Sequence, residues 1–282
     1  RWQFIDRLDF DSIWFEDHYA RNSNRQGMWF DGWTLLSAMA TTTKNARIGL
    51  AVSSPTQHNP AMFAKRALTI DHISGGRLEI GLGVGGMSAN WEEEMIGVKS
   101  SWTAGERVAR FREFVELVDT LLQNLVTTYE GTYYKTKEAL MIPSPVQKPR
   151  PPFMLAGLGK KSLKIIAQYA DTWNTYGKGF VSSEETLEAT KQQVKLLDEH
   201  CEAIGRDPSE IRRSFYPFGA LPYGSSLQAF YDFIEPYREI GFTEFILTWL
   251  PDDFPMDKNL LMSRDMLEQI AGEAIPKLKA KS

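Results

Sequence analysis

The chain has 282 residues, 43% of them apolar and 24% charged, with a net charge of −4. That length suits one α/β barrel of ~250 residues, and the absence of any Lys/Arg block argues against a nucleic acid or an anionic membrane as partner. No apolar run approaches the ~20 residues of a membrane span, and the single cysteine, Cys201, can form no internal disulfide and fits a reduced, cytoplasmic setting.

The opening stretch RWQFIDRLDFDSIWF reads as the end of a helix feeding a strand over Ser12–Asp17. Asp17 and His18 follow at the end of that strand. A neutral imidazole can give or take a proton near pH 7, and a carboxylate can fix its tautomer. The alternative is a histidine that is structural or incidental.

A helix-period segment, Trp33–Thr42, precedes a second apolar run at Arg47–Ser53. Ala51, Ser53 and Ser54 are small, which lets a flat ligand approach backbone, or they are plain interior residues. His58 lies in the next loop and is a candidate for either the site or the surface. Asn59-Pro60 opens a helix over Pro60–Ile73, and Gly75-Gly76 ends it.

A third strand, Leu78–Gly83, runs into the loop GLGVGGMSANWEEEMIG. Gly81, Gly83, Gly85 and Gly86 allow φ > 0 and close approach of backbone to a ligand. This loop matches neither the dinucleotide fingerprint nor a Walker loop.

A long helix follows at Ala104–Leu125, and then TTYEGTYYKTKEALMIPSPVQKPRPP, with Gly131 as a turn and five prolines. This reads as a short hairpin and an extended arm, an insertion between residues 126 and 152. The strand Phe153–Gly157 leads through Ala156, Gly157, Leu158 and Gly159 into a helix at Lys161–Gln168, with Lys160 and Lys161 at its start. A helix N-terminus with two lysines is a ready anion site; the plain alternative is a tight turn.

Strand, helix, strand, helix and strand follow at Asp171–Tyr176, Glu184–Ala203, Arg213–Gly219, Leu227–Ile240 and Glu244–Leu250, with a last helix at Asn259–Ala271. Near-continuous apolar strands alternating with helices imply a parallel sheet covered by helices. Seven strands fall one short of a (β/α)8 barrel, so a first strand is expected to be missing from this chain; an open doubly wound sheet is the alternative. The organisation expected is one barrel domain over residues 1–282.

Trp29, Phe30, Trp33, Trp91, Trp102 and Trp249 sit near the same strand ends and suggest an apolar pocket. Histidines dispersed at 18, 58, 72 and 200 argue against a zinc site, and no metal is expected.

Taken together, LDFDSIWFEDH, the block from TLLSAMATTT to GLGVGG, GERVARFREFVELVDTLL, EGTYYK, SPVQKPRPPFMLAGLG and AQYADTWN resemble the luciferase-like superfamily of flavin and deazaflavin oxidoreductases. The likeness runs from residue 8 to about 180. It implies an α/β (β/α)8 TIM barrel that binds an isoalloxazine-type ring at the carboxyl ends of its strands. The family's strand-end histidine falls on His18, with Asp17 beside it to orient it. Its bulge with a non-prolyl cis peptide falls near Ala51-Val52, beside Ser53. Its cofactor loops fall on Gly83, Val84, Gly85 and Gly86 and on Ala156 to Lys160.

The resemblance also implies a small organic substrate and a homodimer. It favours hydride transfer with coenzyme F420, a deazaflavin. The alternatives are a monooxygenase that uses reduced FMN from a flavin reductase partner, and a flavin-binding barrel without turnover. Deazaflavin sugar-phosphate dehydrogenases of the family carry a glutamate directly after the glycine loop. Here Gly86-Met87 stand there and the acids come later, at Glu92, Glu93 and Glu94, so a larger or more apolar substrate than a sugar phosphate is expected.

Overall fold

The protein was analysed as a computed structural model, which describes residues 1–20, 28–86, 90–98, 102–179, 181–217, 222–249 and 262–280. Seven strands form one parallel sheet: β1 (Ser12–Phe15), β2 (Arg47–Leu50), β3 (Leu78–Gly83), β6 (Phe153–Ala156), β7 (Thr172–Thr175), β8 (Arg212–Phe215) and β9 (Glu244–Phe245). They are hydrogen-bonded in the order β1-β2-β3-β6-β7-β8-β9. All seven expected strands are present: Leu78–Gly83 has the expected bounds, β8 starts one residue earlier than expected, and the other strands are shorter at one or both ends; the expected Gly219 and Leu250 ends lie outside the described residues. Separately, β4 (Val126–Glu130) and β5 (Lys135–Leu140) pair antiparallel as the expected inserted hairpin.

The helices start and stop for local reasons. In α2 (Gly32–Thr42) the Asp31 carboxylate accepts from Thr34 N–H at 2.7 Å. In α3 (Pro60–Ser74) Asn59 Oδ1 accepts from the N–H groups of Ala61 and Met62, Pro60 takes the first turn, and Gly75 ends the helix at φ +66. Each such cap is worth ~1 kcal/mol. The other helices are α1 (Trp2–Arg7), α4 (Asn90–Met95), α5 (Ala104–Gln123), α6 (Lys160–Tyr169), α7 (Ser183–Glu202), α8 (Leu227–Arg238) and α9 (Arg264–Gln269), the last continuing as a π turn over Ile270–Ala274. The expected start of that last helix at Asn259 lies outside the described residues.

Ion pairs across the lumen establish that the sheet curls. Glu79 on β3 is 3% exposed and pairs with Arg47 of β2 and, at 3.5 Å, with Arg212 of β8. Strands β3 and β8 are three steps apart in the sheet, which is ~14 Å when flat. Only a strongly curved sheet brings them into contact. Arg212 also pairs with Glu244 of β9 at 2.8 Å, closing a charged layer at the amino ends of the strands. The fold is therefore an α/β fold with a curled parallel sheet of the barrel type, in which, among the described residues, β1 and β9 each have one strand neighbour.

Alternation along the strands decides what fills the lumen. Ile13 and Phe15 face outward and pack on the helical layer, while Trp14 faces in, its indole N–H bonded to Ser12 Oγ at 2.8 Å. The register sets Trp14 opposite Gly49 and Gly49 opposite Glu79. A Cβ on Gly49 would overlap the Trp14 ring, and one on Gly81 would overlap the Leu50 carbonyl oxygen. Glycine here is demanded by protein packing: the β2–β3 wall leaves space for the indole and nothing more.

Outside the barrel, Leu36, Phe63, Phe114, Leu121, Phe153 and Ile166 belong to one continuous apolar layer. No helix among the described residues is long and apolar enough to cross a membrane.

Gly81→Ala is expected to lower stability by ~2–3 kcal/mol, because backbone must move to admit the methyl group. Gly272→Ala, where a Cβ meets nothing within 4 Å in a helical segment, is expected to be neutral or slightly stabilising. Urea unfolding of both variants checks this; equal effects would contradict the packing account.

Candidate active site

The carboxyl ends of the strands are where barrels of this kind hold their chemistry. Three polar residues near the end of β1 have separate surroundings, set by alternation: Asp17 turns outward, while Glu16 and His18 lie on the lumen side.

Asp17 is 5% exposed. Its Oδ2 accepts from Ser53 Oγ at 2.5 Å, His58 Nε2 at 2.7 Å and Trp33 Nε1 at 3.2 Å. Burial pushes this carboxyl up, but the hydrogen bonds from His58, Ser53 and Trp33 and the charge of His58 outweigh it, so the group lies below its ordinary value. The expected pairing of Asp17 with His18 is thus corrected. Adjacent residues at a strand end point to opposite faces, and the histidine that meets Asp17 is His58, whose side chain is 4% exposed.

His18 has a different partner. Its Nδ1 is 2.7 Å from Oε2 of Glu92 on α4, and Glu92 Oε1 accepts the backbone N–H of Tyr19 at 2.6 Å. Glu92 is 1% exposed, while the His18 side chain is 45% exposed. The Glu92 hydrogen bond raises the His18 pKa above its ordinary 6.5, against a smaller lowering by burial. Burial raises Glu92, but the His18 bond and charge and the two backbone N–H groups outweigh it and bring the group below 4.5. The dyad is a partly exposed imidazole backed by a buried carboxylate that favours its protonated form.

Next to Glu92, Glu93 is fully buried and takes a bidentate pair from Arg107 of α5, at 2.7 and 3.2 Å. Helix α4 therefore ties the β1 end to the helical layer through two consecutive acids.

After β2 the chain turns through a cis peptide between Ala51 and Val52, as the resemblance implied. It rejoins the sheet at once: Ser53 N–H bonds to Gly81 O at 3.0 Å and Gly83 N–H to Ser53 O at 2.9 Å. Val52 occupies the place a Cβ on Gly83 would need, and Ser54 Oγ the place of one on Gly85, which has φ +80. Of the glycines Gly81, Gly83 and Gly85, only Gly85 uses positive φ; the other two make room for the β2 bulge. Val84 and Gly86 continue this edge, and Met87 lies outside the described residues.

At the end of β6, Ala156 pairs with Gly83 in register, and Gly157 packs on Ser162 and Ile166 of α6. Trp173 Nε1 holds the Gly157 carbonyl at 3.0 Å. Leu158 and Gly159 lead into α6, whose start has no side-chain cap; Ser162 Oγ instead contacts the Gly159 N–H and carbonyl. A Cβ on Gly159 would meet nothing, and Lys160 and Lys161 are exposed beside the unpaired first-turn N–H groups. That arrangement fits a phosphate.

Residue-level reading left His58 open between site and surface, named Glu92 without its partner His18, and did not find the contacts of two tryptophans. Trp33 is a buried helix residue bonded to Asp17, and Trp102 stacks on the Arg110 guanidinium at 4.1 Å.

Two outcomes follow from these contacts. Asp17→Asn leaves His58 and Ser53 buried around an uncharged amide and is expected to cost ~3 kcal/mol by denaturant unfolding. For the dyad, the raised His18 contributes stability fully present below pH 6.5 and lost as pH rises through its folded value. The lowered Glu92 contributes stability present above pH 4.5 and lost as pH falls through its folded value. Glu92→Gln is therefore expected to flatten the stability profile on both sides of that window and to return the His18 titration, followed by NMR, toward its ordinary value. An unchanged His18 titration would rule Glu92 out as its partner.

Comparison with known proteins gives the same picture. The sequence matches the luciferase-like monooxygenase family over residues 2–221. An F420-dependent glucose-6-phosphate dehydrogenase of Segniliparus rotundus is 31% identical over 226 residues, covering 75% of this chain and 62% of the relative. Among solved structures, the F420-dependent tetrahydromethanopterin reductase of Methanopyrus kandleri superposes with a TM-score of 0.75 at 18% identity, covering 98% of this chain and 93% of that one. The monooxygenase RslO1 of Streptomyces bottropensis superposes at 0.70, again with 18% identity, over 98% and 92%. With more than three quarters of its length matched to the family and the fold shared, the chain belongs to the luciferase-like monooxygenase family and is an oxidoreductase of that type.

Proposed function

We propose that the protein is a coenzyme F420-dependent oxidoreductase that moves a hydride to or from a small organic substrate at the strand-end mouth. The observation that carries this reading is the His18–Glu92 dyad just past the carboxyl end of β1, with His18 open and Glu92 buried. Two F420-dependent relatives, one matched in sequence and one in fold, support the choice of cofactor.

The residues present fit such a group. Ala51, just past β2, and Ala156, at the end of β6, carry small side chains, and Val52 covers Gly83 on the strand between them. In this reading Val52 and Ser53 back the ring, Val84, Gly85 and Gly86 border it, and Gly157, Leu158, Gly159 and Lys160 at the α6 start hold its phosphate. When bound, the deazaflavin supplies or accepts the hydride.

The rest falls to the chain itself. His18, held protonated by Glu92, gives a proton at Nε2 to the substrate atom that gains charge, or takes one in the reverse direction. Glu92 fixes the imidazole tautomer through Nδ1. Asp17 plays no part in that proton path; it anchors Ser53 and so keeps the bulge in place.

A second reading is a monooxygenase using reduced FMN from a flavin reductase, which the fold shared with the Streptomyces bottropensis enzyme supports.

Fluorescence-quenching titrations with F420 and FMN in parallel separate the two. Saturable binding of F420, weakened about tenfold by Lys160→Glu and little changed by His18→Ala, is the expected result. A preference for FMN with oxygen uptake in its reduced form would replace the first reading by the second.

A further inference from the structure

Every buried carboxylate around the lumen has a compensating partner. Asp17 has His58, Glu92 has His18, Glu93 has Arg107, and Glu79 has Arg47 and Arg212. Glu16 is the exception. It is half-buried, and among the described residues no side chain or backbone group hydrogen-bonds or ion-pairs with it.

Its place in the barrel is set by β1. Trp14 occupies the lumen against Gly49, and two residues later the Glu16 side chain returns to the same face. There its charge acts on His18 on one side and on Tyr216, the residue after β8, on the other. Burial first, and then the Glu16 charge, push the Tyr216 hydroxyl up to about 12, so it stays a neutral donor and acceptor. Thr248, after β9, gives its N–H to the Tyr223 hydroxyl at 3.2 Å and completes a polar wall.

The mouth is consequently polarised. The β6 side carries the open start of α6 with Lys160 and Lys161, and suits an anion. The β1–β8–β9 side carries a carboxylate with no hydrogen-bond or ion-pair partner among the described residues, together with the Tyr216 phenol. A carboxylate removed from bulk water without a partner is unfavourable, and a ligand cation relieves this more than a neutral hydroxyl does. A divalent metal does not suit the position, since it needs several oxygen ligands and no group of three His, Cys, Asp or Glu able to hold one occurs among the described residues.

We propose that Glu16, with Tyr216 beside it, is the recognition point for a substrate bearing a protonated amine, bound opposite the phosphate end of the mouth. The assignment rests on the mouth being the ligand site described above. It makes Glu16 a specificity residue, with the amine nitrogen donating to its carboxylate and the remainder of the substrate directed toward His18.

The test uses the full chain, two matched probes, benzylamine and benzyl alcohol, and the conservative variant Glu16→Gln. Binding is followed at pH 7 and low salt by ligand-observed NMR, with F420 affinity measured on the same samples. The wild type is expected to bind benzylammonium about tenfold more tightly than benzyl alcohol. Glu16→Gln is expected to abolish that preference while leaving F420 affinity and thermal stability unchanged. Equal binding of the two probes by the wild type, binding of neither, or a preference that survives in Glu16→Gln would overturn the assignment. Loss of the preference in a protein that binds neither F420 nor FMN would sustain the amine subsite and overturn the cofactor reading instead.

Discussion

The carboxylate of Asp17 joins three parts of the chain that are distant in sequence. It receives one hydrogen bond from the β2 bulge at Ser53, one from the following loop at His58, and one from α2 at Trp33. Each donor is buried, so each needs its acceptor, and none could be released without leaving a polar group stranded in an apolar layer. The end of β1, the bulge after β2 and the start of α2 are thereby locked together. Everything at the mouth is built on that junction: the orientation of β1 that puts Glu16 and His18 on the lumen side, and the bulge that brings Val52 over Gly83.

The second junction has the opposite character. Glu92 is buried but His18 is not, so the dyad faces solvent on one side and protein on the other. A buried pair such as Asp17–His58 is a fastener. A pair with one open member can exchange a proton with whatever occupies the opening. The two histidines near the strand ends thus differ in exposure: the His58 side chain is enclosed with Asp17, while that of His18 is open.

The parallel sheet and its helices were largely legible in the sequence, because each rests on a local rule. The run Leu78–Gly83 is apolar or small throughout, and Asn59-Pro60 with Gly75 brackets a helix by capping alone. The partners of the two catalytic candidates were not legible. Asp17 and His58 are 41 positions apart and Glu92 is 74 from His18, and both meetings depend on how the sheet curls. Helix α4 has six residues and escaped periodicity, although its two buried acids make the strongest polar contacts of the region. The glycines of β3 were read for a ligand's sake, whereas Gly81 and Gly83 are small because Leu50 and Val52 press on them. Sequence spacing cannot tell a backbone that must approach a ligand from one that must approach its own neighbour.

Trp14 gives the lumen a floor. Its ring rests against a strand that has no side chain at the facing position, Gly49, and lies just above the charged layer of Arg47, Glu79 and Arg212. The depth of the cleft on this side is therefore set by one indole, while the adjacent strand contributes only hydrogen atoms at that level. A smaller residue at this position would extend the cleft downward toward fixed charges, and a matching side chain on the other strand has no room to compensate. Among relatives of this shape, reach into the barrel would be adjusted by substitution at a single site, and the polar rim above it would be free to vary independently.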